Sequence, residues 1–75
     1  MKCVVRLIWS EESDSWYCTS DDIPGLTLGS NSFDALIVKI RIAAPEMLEL
    51  NCNYTGPIEL SFESERVDNL DAMVS

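Results

Sequence analysis

An α+β fold with the element order β-β-β-α-β is predicted by three features of this chain. Apolar residues alternate with polar or mixed ones near both ends. Apolar residues recur at helical spacing through the middle. Two turn signals punctuate the first half. With 75 residues and 8.4 kDa, one sheet with one helix on one face is all the chain has room for.

The first strand is expected from Lys2 to Ser10. Cys3, Val5, Leu7 and Trp9 share one side, and Val4, Arg6 and Ile8 share the other. Glu11, Glu12, Ser13 and Asp14 form a polar turn, and Ser15 to Ser20 is rich in strand formers. Pairing Ser10 with Ser15 sets Trp9 opposite Trp16, Leu7 opposite Cys18 and Val5 opposite Ser20. A slip by one residue would set Trp16 against the mixed side, so the register is specified by the pattern itself.

Pro24-Gly25 marks the next turn, because proline presets φ and glycine accepts positive φ. Leu26 to Gly29 is expected as a short third strand. Asn31 is positioned as a helix N-cap, with Asp34 near the positive end of the helix dipole. Phe33, Leu36, Ile37, Ile40, Ala43, Ala44, Met47 and Leu48 fall on one broad helical face. Pro45 inside that stretch predicts a kink, or a split near residues 42 to 44. Residues 51–57 read as a loop. Ile58, Leu60 and Phe62 alternate with Glu59, Ser61 and Glu63 as a half-buried fourth strand, running parallel to the strand that precedes the helix. The domain therefore occupies residues 1–64, with an acidic tail over residues 65–75.

Composition narrows the function. Thirteen acids against five bases give a formal charge of −8 and a pI near 4.1. This disfavours contact with a nucleic-acid backbone or an anionic membrane and suits a basic partner. The chain has no histidine, which removes histidine triads, histidine general bases and histidine metal ligands. Cys3, Cys18 and Cys52 are an odd number without CxxC spacing. They predict buried thiols in a reducing cytoplasm, not a disulfide framework or a zinc site. Arg6 interrupts the early apolar stretch, and Lys39 and Arg41 interrupt the helical one, so neither a signal peptide nor a membrane span is expected.

Asp14, Asp21, Asp22 and Asp34 are the carboxylates that a metal-dependent reaction could recruit, but each has a turn or capping role and none lies in a central strand. No catalytic residue, metal or cofactor is therefore expected. Trp9 and Trp16 read as a cross-strand pair in preference to a base-stacking platform. The segment Asp21-Asp22-Ile23-Pro24-Gly25-Leu26 is either a contact loop or a simple connection.

The run from Trp9 through the acidic turn and Trp16 to Asp21-Asp22-Ile23-Pro24-Gly25-Leu26 resembles the N-terminal module of the HicB-like antitoxin superfamily. Ala35-Leu36 and Ala44-Pro45-Glu46-Met47-Leu48-Glu49-Leu50-Asn51 are similar to a small bacterial subfamily of it, of unknown function. The resemblance spans about residues 2 to 63. It implies a truncated ribonuclease-H-like fold and a non-catalytic, cytoplasmic module that neutralises a small basic toxin. After Phe62 too few residues follow to build the separate DNA-binding segment of that family. On this reading Glu11, Glu12, Asp14, Asp21, Asp22, Ile23, Pro24, Gly25 and Leu26 form the partner-binding set, the acids steering encounter. The alternative is a homo-oligomeric structural or regulatory protein with no toxin partner, associating through the sheet face that carries Val4, Arg6, Ile8 and Tyr17.

Overall fold

The computed structural model describes residues 1–67 and Leu70. Its elements are β1 (Lys2–Ser10), β2 (Ser15–Thr19), β3 (Gly29–Ser30), α1 (Phe33–Cys52) and β4 (Glu59–Glu65), the expected order. The four strands form one mixed sheet in the order β3-β2-β1-β4. The tail expected over residues 65–75 falls mostly outside the described residues; Glu65 itself closes β4.

The hairpin has the register that the alternation demands. Ser10 faces Ser15, Trp9 faces Trp16 and Leu7 faces Cys18. The two indoles meet edge to face at 5.4 Å, and Trp16 meets Phe33 of the helix at 4.9 Å in the same geometry. Asp14 takes a φ of 49° to close the turn, a conformation that aspartate tolerates better than most residues.

The third strand is shorter and later than expected, Gly29–Ser30 in place of Leu26 to Gly29. The Leu26 N–H closes a turn on the Ile23 carbonyl at 3.3 Å, so Leu26 ends that turn with its side chain in the core and does not pair with β2. One ladder-like bond, Cys18 N–H to the Leu28 carbonyl at 3.1 Å, still ties the segment to β2. β3 and β1 both run against β2, so β4, parallel to β1, also runs in the direction of β3. The helix carries the chain across to the far edge, where β4 pairs with β1.

The helix cap is Ser32, one residue beyond the expected Asn31. The Ser32 hydroxyl accepts the Ala35 N–H at 3.2 Å, and its carbonyl accepts the Leu36 N–H at 3.0 Å. Asp34 stays in the first turn, where the dipole favours it. The helix does not split at Pro45 but runs unbroken to Cys52. Pro45 is exposed, so the Arg41 carbonyl that lacks its intrahelical donor faces water. Asn53, in the left-handed region at φ 56°, ends the helix, and its N–H bonds the Glu49 carbonyl at 3.1 Å.

Leu36, Ile40, Ala44 and Leu48 pack with Cys3, Val5, Leu7 and Cys18, so the helix covers one face of the sheet. The other face, with Val4 36% and Tyr17 41% exposed, is uncovered among the described residues. Among the described residues no polar or charged side chain is buried, and no helix is long and apolar enough to cross a membrane.

Burial pushes the Cys3 thiol above its ordinary value of 9.0, with the Asp22 charge adding to the shift, and burial likewise raises Cys18. A thiol that binds its proton more tightly when folded contributes stability that is fully present below its unfolded pKa. That contribution is lost as the pH rises from there through the higher folded value. Urea midpoints should hold between pH 6 and 8 and fall above about pH 9. The fall should be smaller for the variant Cys3→Val with Cys18→Val. A thiol reagent at pH 7 should label the exposed Cys52 quickly and the other two only on unfolding.

Candidate functional site

The loop between β2 and β3 is where structure adds most to sequence. Ile23, Pro24, Gly25 and Leu26 form a turn closed by the Leu26 N–H on the Ile23 carbonyl at 3.3 Å. Proline at its second position and glycine with φ 79° at its third are the requirements of a type II turn. A side chain at Gly25 would stand 3.2 Å from the amide nitrogen of Asn51. Asn51 donates that nitrogen to the Pro24 carbonyl at 2.9 Å, which ties the turn to the last turns of α1.

The same loop also grips the central strand. β2 ends at Thr19, before β1 runs out of groups to pair. The Asp22 carboxylate accepts the Val4 N–H at 2.8 Å, and the Ser20 hydroxyl donates to the Val4 carbonyl at 2.7 Å. Ser20 in turn accepts the Asp22 N–H at 3.2 Å. Two side chains thus continue the ladder where the backbone of β2 turns away.

This placement revises the partner-binding set. Ile23 is 0% exposed and Leu26 is 5% exposed, so both belong to the core and neither side chain can meet a partner. Hydrophobic residues beside a tight turn were bound to be drawn under it once the turn lay on the sheet. Asp22 is exposed, but its carboxylate already holds Val4. Asp21, Pro24 and Gly25 remain exposed on the loop surface, and Glu11, Glu12 and Asp14 are exposed at the hairpin tip.

The two groups of acids are not brought together. Asp22 bonds Val4 near the start of β1, whereas the hairpin follows its last residue, Ser10. Glu11 lies seven residue steps beyond Val4 along an extended chain, roughly 23 Å. Asp34 lies at the helix start. Among the described residues no three histidine, cysteine or carboxylate side chains stand together as a metal site.

Sequence reasoning passed over a second acidic row. Glu59, Ser61, Glu63 and Glu65 stand at alternate positions of β4, in register with Lys2, Val4, Arg6 and Ile8 of β1 on the uncovered face. Arg6 reaches Glu63 at 3.9 Å with both side chains more than half exposed, an ion pair of little energetic weight. The strict alternation of Glu59 and Glu63 with Leu60 and Phe62 was the available signal. A shallow depression of about 220 Å³, lined by Val4, Arg6, Thr19, Ser20 and Asp21, lies on the same face.

These features define a small α+β domain with a helix on one side of its sheet and an acidic, open surface on the other. The chain matches the family described as a domain of unknown function, DUF1902, over residues 2–73, and it belongs to that family. Among solved structures it is similar to the hypothetical protein TTHA1013 from the extremely thermophilic bacterium Thermus thermophilus. The two share 31% identity with a TM-score of 0.79, over 93% of this chain and 100% of that one. No curated protein matches. Neither similarity names a ligand, a partner or an antitoxin.

If the loop is a latch, Asp22→Ala should cost about 1–2 kcal/mol by leaving the Val4 N–H without its acceptor. Asp21→Ala should stay within about 0.5 kcal/mol. Urea unfolding followed by circular dichroism distinguishes them; equal values for the two would contradict the latch.

Proposed function

We propose that this chain is a non-catalytic, cytoplasmic protein-binding module, similar to the toxin-neutralising domain of HicB-type antitoxins, that covers a small basic partner protein. The observation that carries this reading is the distribution of charge. In a chain with formal charge −8, the acids among the described residues are spread over the hairpin tip, the 21–26 loop, the helix and β4, and no three of them stand together. A dispersed negative surface suits steering and coverage of a basic protein and lacks the focus that a reacting centre needs. The domain of unknown function and the hypothetical structural relative are compatible with this reading and do not name a partner.

The test is co-expression with the products of adjacent reading frames, followed by purification. A small basic protein should co-purify. Its association rate should fall about tenfold or more between low and physiological salt, as for a steered encounter. Recovery of no partner, or a rate indifferent to salt, would contradict the proposal.

The uncovered sheet face supports one other reading. Val4 and Tyr17 are exposed there, and Ile8 lies directly opposite Tyr17 in the ladder. On the alternative reading this face joins copies of the chain into a homo-oligomer with no toxin partner. Light scattering of Tyr17→Glu against the unmodified chain separates the two, because only the second requires a larger species that this substitution dissolves.

A further inference from the structure

We infer that the outer edge of β4 is a strand-addition site for an extended segment of the partner in which basic and apolar residues alternate. This inference rests on the reading of the chain as a binder of a basic protein and gives that binding a place and a geometry.

The sheet order leaves two edges, the two residues of β3 and the seven of β4. Among the described elements β4 pairs with β1 alone. The backbone groups on its free side can be identified. The Glu59 N–H donates to the Met1 carbonyl at 2.8 Å, so Glu59 and, by alternation, Ser61, Glu63 and Glu65 turn their N–H and C=O groups toward β1. The groups of Leu60, Phe62 and Ser64 therefore point away from the sheet. The opposite side of β1 agrees: the N–H and C=O of Val4 bond to Asp22 and Ser20 beyond β2. Three residues with outward donors and acceptors thus span roughly 13 Å of edge.

Natural edges of this length are blunted by proline, lysine, bulges or inward charge. β4 contains no proline and no lysine, and its inward side chains include Leu60 and Phe62, which the helix leaves only partly buried. Glutamates are the one deterrent it carries, and they act selectively. Any two-fold antiparallel pairing of β4 with its copy that keeps the sheet faces aligned and engages most of the strand sets glutamate opposite glutamate. Centring on Ser61 opposes Glu59 and Glu63, centring on Phe62 opposes Glu59 and Glu65, and centring on Glu63 opposes that residue to itself. Like charges directly opposite are destabilising, whereas opposite charges there are favourable. The pattern that rejects a second copy thus accepts a strand with lysine or arginine facing Glu59, Glu63 and Glu65. Apolar residues at the intervening positions of that strand would complete the cover over Leu60 and Phe62.

The probe is a capped eight-residue peptide alternating lysine and valine, added to the isotope-labelled full chain. Its control is the same peptide with every backbone nitrogen methylated, which keeps the charge and loses the donors. The first peptide should slow amide exchange at Leu60, Phe62 and Ser64 by about tenfold, and the control, which has no backbone N–H to complete the ladder, should not. Ser64→Pro removes an outward N–H without touching the ladder to β1 and should weaken binding by a similar factor while leaving the melting temperature unchanged. The variant Glu59→Lys with Glu63→Lys and Glu65→Lys should abolish it. Equal binding of both peptides, no binding of the first, or protection elsewhere with β4 unaffected would overturn the inference. So would a dimer of the chain alone that Ser64→Pro dissolves. A basic partner that co-purifies and binds Ser64→Pro undiminished would sink strand addition while sparing the function. Peptide addition at β4 with no recoverable basic partner would do the reverse.

Discussion

The structure depends on β1 being hydrogen-bonded along both sides. On one side β2 supplies the ladder up to Thr19, and the Ser20 and Asp22 side chains extend it to Val4. On the other side β4 supplies a parallel ladder along most of its length. Only a strand held this way can place Cys3, Val5 and Leu7 in one fully buried row for a single helix to cover. The 21–26 turn joins the two requirements, since Asp22 holds the strand while the Pro24 carbonyl holds Asn51 of the helix. Its apolar residues, Ile23 and Leu26, fill the space between.

Among the described residues one helix packs on one sheet face, and the other face must be made tolerable in water. The chain does this with charge. Glutamates alternate along β4, Arg6 stands among them, Glu11, Glu12, Asp14, Asp21 and Asp22 sit at the hairpin tip and the 21–26 loop, and Asp34, Glu46 and Glu49 lie on the helix. Charges of one sign on so small a body repel one another and weaken the compact state. That repulsion is offset by a core without a buried polar side chain among the described residues. On the proposed reading, the outer edge of β4 and the net charge serve the same end, the binding of a cationic protein.

Much of this was legible in the residues. The hairpin register followed from the parity of Cys3, Val5, Leu7 and Trp9, because a slip would expose one set and bury another. The helix followed from spacing, but Asn31 and Ser32 are both competent caps, and the choice fell to a local bond between Ser32 and Ala35. Pro45 broke nothing because it fell on the solvent side, which periodicity alone implied but did not weigh against ring geometry. The third strand was misplaced because Leu26 reads equally well as a strand residue and as an anchor beneath a turn. The bond from Asp22 to Val4 joins residues 18 apart and leaves no periodic trace. The pairing of β4 with β1, and hence the identity of the free edge, required the sheet order, which chain direction does not determine.

Native-state amide hydrogen exchange on the isolated chain reads both sides of β1 and the outer side of β4 in one measurement. The Val4 amide, held by the Asp22 carboxylate, should exchange as slowly as those of Val5 and Leu7, while the amides of Leu60, Phe62 and Ser64 exchange at rates typical of an open strand edge. A rapidly exchanging Val4, or a protected outer edge of β4 in the absence of any partner, would contradict the account.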